Sequence, residues 1–133
     1  MRAKAFRLLF TAILSTSFAS AAFAHHSISA EFDANQRVVL SGTITKIAWT
    51  NPHSFFYVEA KDPKTGSIVN WACELGSPNM LSMLGWTHTT LRVGMTVSFT
   101  GILARDGRHK VIARNIVADG NKVIAWPSEH NAP

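Results

Sequence analysis

Six histidines and one cysteine carry most of the chemistry open to this 133-residue chain. Two of the histidines, His25 and His26, are adjacent and stand directly after Ala22-Phe23-Ala24. A cut after Ala24 would make His25 the N-terminal residue. Its amine and its Nδ1 could then chelate one metal ion, with a further imidazole completing a brace of nitrogens. Amine and imidazole ligands suit copper first, and also zinc or nickel. A redox enzyme of this kind would keep an open position on the metal. The plainer alternative is a solvated tail that picks up metal weakly. His53 is the best third ligand. It follows Pro52 in a loop, so its backbone is positioned; its competing role is a hydrogen bond to that loop. A straight strand from Val38 to Trp49 would hold the loop about 36 Å from its start, so the N-terminal segment would have to double back to bring the three histidines together. His88 and His109 read as exposed loop residues. Cys73 lies in the strand-like run Asn70-Trp71-Ala72-Cys73 and reads as buried, since one cysteine closes no disulfide within its own chain.

The cut itself is legible. Arg2, Lys4 and Arg7 precede a mostly apolar run from Leu8 to Phe18, and Ala22-x-Ala24 places small residues where signal peptidase reads. The run is shorter than the roughly 20 residues that span a bilayer. A signal peptide at 1–24 and a periplasmic or secreted product are expected. A cut after Ala22 would instead put His25 third, a different site for a square-planar ion.

Removing 24 of the 133 residues leaves 109, one small domain. Arg2, Lys4 and Arg7 leave with them, so thirteen basic residues against eight acidic become ten against eight, a net +2 in place of +5. That balance, with Glu59 among the strand-two aromatics, argues against nucleic acid as a partner. No later segment reads as a transmembrane span.

The elements that must position these residues are mainly strands. Val38, Leu40, Gly42 and Ile44 alternate, then Ile47 and Trp49 continue one step out of phase, which predicts a bulge near Thr45-Lys46. Ser54–Ala60 predicts a second strand with Phe56 and Val58 inward and Phe55, Tyr57 and Glu59 outward. Asp62-Pro63-Lys64-Thr65-Gly66 is a hairpin loop, and Ile68–Glu74 a third strand. Ser77, Pro78 and Gly85 bracket a short helix as N-cap, first residue and stop, with Met80, Leu81 and Leu84 on one side. Val97, Phe99, Gly101 and Leu103 alternate on a fourth strand, Arg105–Arg108 turns, and Val111–Ala118 is the fifth. The reading is all-β: a small five-stranded OB-like Greek-key barrel with one short helix between strands three and four. A β-sandwich with the helix at one end is the alternative. The expected organisation is an N-terminal arm at 25–37, the barrel domain at 38–125 and a flexible tail at 126–133.

Ala-His-His-Ser-x-x-x-Glu-Phe-Asp at 24–33, Trp49-Thr50-Asn51-Pro52-His53, Gly85-Trp86-Thr87 and Ala104-Arg105-Asp106-Gly107 resemble a family of small exported bacterial proteins of unassigned function. The element order is also similar to bacterial exported OB-fold proteins. The family likeness implies a periplasmic location and carries over no catalytic residue.

No catalytic motif stands out: there is no HExxH, CxxC or Gly-x-Ser-x-Gly. The expected function is therefore a small exported binding or accessory module for an unidentified small molecule or envelope protein, with copper or another transition metal held by His25, His26 and His53. Phe55, Tyr57 and Trp71 are the candidate ligand-binding rings, by analogy with the aromatic faces of OB-folds; the alternative is that the N-terminal arm or the helix covers them. Two further functions stay open. One is a metal-dependent redox enzyme using His25, the other a structural envelope protein docking a partner through its strand-two face.

Overall fold

The computed structural model describes residues 28–123. The expected signal peptide at 1–24, His25, His26 and the expected tail at 126–133 lie outside the described residues. Residues 28–31 form a helical turn. The strands are β1 (Phe32–Ala48), β2 (Phe55–Lys61), β3 (Ile68–Glu74), β4 (Thr96–Ala104), β5 (Lys110–Ala118) and the short β6 (Asn121–Lys122). One helix, α1 (Pro78–Met83), stands between β3 and β4.

Strands β1 to β5 make one mixed sheet whose hydrogen bonds run in a ring. β1 pairs antiparallel with β2 on one side and β4 on the other; β2 continues to β3 and β4 to β5. β3 and β5 then pair in parallel, Cys73 opposite Val111, which joins the two ends. The protein is mostly β, as its alternating runs predict.

Two devices let β1 serve both neighbours. Its register with β2 slips between Ile44 and Lys46, at the place where the sequence pattern changes phase. A bulge there bends and twists the strand. At Gly42 a Cβ would run into the Glu59 carbonyl oxygen, so only glycine lets the two backbones approach this closely. β1 also begins at Phe32, six residues before the expected Val38. The polar stretch 33–36 hides this start, because the register with β4 slips between Phe32 and Arg37 and no alternation survives.

The core lies inside the ring. Phe56, Val58, Leu40, Ile44, Val97, Phe99 and Val111 are all essentially buried, and Phe56 meets Phe99 edge-on with centroids 5.3 Å apart. Leu103 packs against this core only half-buried. The intervening β4 residues Ile102 and Ala104 face outward, yet they are buried beneath Phe32 and Ile112 in a second small cluster.

Helix α1 forms where its caps predict. Ser77 Oγ accepts from the Met80 N–H at 3.2 Å, Pro78 opens the first turn, and the Trp86 N–H reaches back to the Leu81 carbonyl at 2.9 Å past Gly85 at φ 85°. Its buried residue is Leu81. Met80, expected beside it, is instead exposed, because a six-residue helix on a curved surface turns only a narrow stripe inward.

Candidate functional site

Two clusters of ionisable side chains form where loops meet strand ends. The first is built on Glu74, the last residue of β3. One carboxylate oxygen meets His53 Nδ1 at 2.5 Å and the other meets Lys110 Nζ at 2.8 Å. The Glu74 side chain is 7% exposed and that of His53 39%. Lys110 Nζ also lies 5.2 Å from the Phe32 ring centroid and 5.4 Å from that of Phe55, within cation–π range. One carboxylate is thus bridged between a histidine and a lysine, and that lysine stands over two rings. The loop carrying His53 is tied down on both sides. The Ser54 N–H donates to the Gly76 carbonyl and the Ser54 carbonyl accepts from Leu75, both at 2.9 Å. Thr50 Oγ1 donates to the His53 carbonyl at 2.8 Å. With Nδ1 turned to Glu74, Nε2 is the ring nitrogen left for other chemistry. A carboxylate on the far nitrogen is how metal-binding histidines are commonly oriented.

The second cluster lies around Asp62, in the β2–β3 loop. Asp62 Oδ1 accepts the Lys64 N–H at 2.8 Å and Oδ2 meets His109 Nε2 at 3.0 Å. These bonds, the Lys64 N–H foremost and then His109, hold the Asp62 carboxyl below the usual aspartate range despite its burial. Asp62 is thus an ionised acceptor, so Nε2 donates. His109 is anchored through its backbone as well, its carbonyl accepting from Ala72 at 2.9 Å. Its ring meets Trp71 edge-to-face at 4.9 Å. A cavity of about 250 Å³ opens beside this group.

The expected ring set separates. Phe55 and Tyr57 do share the outer face of β2, centroids 6.4 Å apart, both half-buried. Lysines stand over them, Lys110 over Phe55 at 5.4 Å and Lys46 over Tyr57 at 5.2 Å. Trp71 is on the opposite side. It pairs with inward-facing Val58 and is 3% exposed, so it cannot stack a ligand together with Phe55 and Tyr57. The shared parity of Val69, Trp71 and Cys73 could have revealed this. Cys73 is fully buried and burial drives its thiol far above the ordinary range, which leaves it without a nucleophilic thiolate.

Sequence reasoning missed Glu74, Lys110, Asp62 and the pairing of His109. Asp62 and His109 are 47 residues apart, each in a segment that reads as a plain turn. His88 is exposed as expected, but its ring packs on Trp49 at 4.7 Å. Among the described residues, no group of three or more His, Cys, Asp or Glu side chains is placed to hold a metal ion. No described helix is long and apolar enough to cross a membrane.

No curated protein and no solved structure matches the chain. One family does, over residues 12–127. The Trp49–His53 loop, the Gly85 helix stop and the Arg105–Arg108 turn all fall within that span. On that coverage, the chain belongs to DUF6152, a family of unknown function.

Proposed function

We propose that this protein is an exported binding module of the bacterial envelope, an OB-like Greek-key barrel that begins at His25 after signal-peptide removal. It holds a transition metal, copper first, between its N-terminal histidines and His53. It binds and presents its ligand and performs no catalysis of its own. The barrel reading draws support from the ring of strand pairings, the parallel β3–β5 closure and the helix between β3 and β4.

One observation carries the metal reading. His53 has its Nδ1 held by the buried Glu74 carboxylate while 39% of its side chain is exposed. A histidine that only capped its loop would have no need of a buried carboxylate, which is costly to desolvate. A ligating histidine does, because the carboxylate selects the tautomer and raises the basicity of Nε2. His25 would add amine and imidazole, and His26 a further imidazole.

Copper affinity of the mature chain tests this. His53→Ala should remove one nitrogen ligand. Glu74→Gln should weaken binding about 10–100-fold, the usual effect of losing such a partner. One alanine added ahead of His25 should break the amine–imidazole chelate and leave the fold intact. Unchanged affinity in all three variants would mean that the histidines form no site.

A further inference from the structure

We propose that the cavity beside His109 is a separate binding site for a small oxyanion, a carboxylate or a phosphate. The site does not depend on the histidines of the metal reading. Its walls come from two loops and a strand floor: Lys64 from the β2–β3 loop, Arg105, Arg108 and His109 from the β4–β5 turn, and Trp71 from β3.

Charge sets the class of ligand. Lys64, Arg105 and Arg108 line the cavity; Arg105 is paired with Asp33 and Arg108 with Asp106, both outside the lining, and the lining itself holds one carboxylate, Asp62. That carboxylate is already engaged by the Lys64 N–H, the Thr65 hydroxyl and His109. It acts as a positioning group and offers a cation little. The Lys64 ammonium and the Arg105 and Arg108 guanidinium groups are donors, and carboxylate or phosphate is their natural complement.

The cationic groups are held in place from outside the cavity. Asp106, which is not in the lining, takes Arg108 by both its backbone N–H at 3.1 Å and its Nε at 2.5 Å. Asp33 lies 3.6 Å from Arg105 and accepts from Gln36, another lining residue, at 3.0 Å. His109 is fixed by Asp62 on its ring, by Ala72 on its carbonyl and by Trp71 beneath. A site arranged in this way loses little side-chain freedom when a ligand arrives.

Volume sets the size. The cavity, about 250 Å³, has room for inorganic phosphate or a four-carbon dicarboxylate.

The test is an amide-resolved NMR titration of the isotope-labelled protein at constant ionic strength. One arm adds inorganic phosphate, the second succinate, the third only sodium chloride. The expected result is saturable shifts at Lys64, Gly107, His109 and the Trp71 indole N–H in the first arm, the second or both. Phosphate alone would assign a tetrahedral oxyanion, succinate alone a carboxylate. Lys64→Ala and Arg108→Ala should each weaken binding about tenfold or more, and Lys64→Arg should keep it. Shifts that match the chloride arm, or that persist unchanged in both alanine variants, would overturn the proposal.

Discussion

Asp62 and Glu74 each hold a histidine, and each does so from a buried position. Their consequences differ. Glu74 is bridged between His53 and Lys110, whereas Asp62 is held chiefly by backbone and its own loop. The lowered Asp62 value gives a pH dependence with a definite sign. An aspartate whose folded pKa lies below its unfolded value of about 3.9 stabilises the fold fully above that value, and the contribution is lost as pH falls through the folded pKa. Asp62→Asn cannot titrate. The gap in melting temperature between the wild type and this variant should therefore close as the pH falls below about 4. Thermal unfolding followed by circular dichroism measures this, and a gap that held constant to pH 2 would show that the His109 and Lys64 contacts do not act through the charge.

At the scale of elements, β1 organises the molecule, since it pairs with both β2 and β4 and carries the register slip. Gly42→Ala would place a methyl group against the Glu59 carbonyl with Val58 also in the way. Backbone cannot yield as a side-chain tip does, so the loss should be at least the 1–3 kcal/mol typical of overpacking. Urea unfolding reads it, and a neutral result would mean that the strand pair relaxes freely. Much of this element was legible in the residues alone. The two-residue period located its inward face, and the change of phase after Ile44 located the bulge. The helix was legible from Ser77, Pro78 and Gly85 because capping is local chemistry. What escaped the sequence was non-local. Phe32 begins the strand because β4 is there to pair with it, and Asp33 to Gln36 carry no period of their own. His109 meets Asp62 only once β3 and β5 run in parallel. Trp71 was readable by parity, yet the expectation of an aromatic outer face drew it to the wrong side.

On the scale of the whole molecule, the ring of strands encloses the main apolar core, and the two carboxylate–histidine pairs among the described residues sit at loops and strand ends. His53 and His109 accordingly sit in connections, each oriented by a carboxylate from another segment. The proposed N-terminal chelate would join this arrangement only after export and cleavage, because an amine at His25 does not exist before the cut. Processing and metal binding are thus one claim, and one measurement addresses both: the mass, under native conditions, of the protein recovered from exporting cells supplied with copper. The expected result is a chain beginning at His25 that carries one copper ion, lost on acidification as protons compete for the amine and imidazoles. A chain beginning elsewhere, or one beginning at His25 and free of metal, would contradict it.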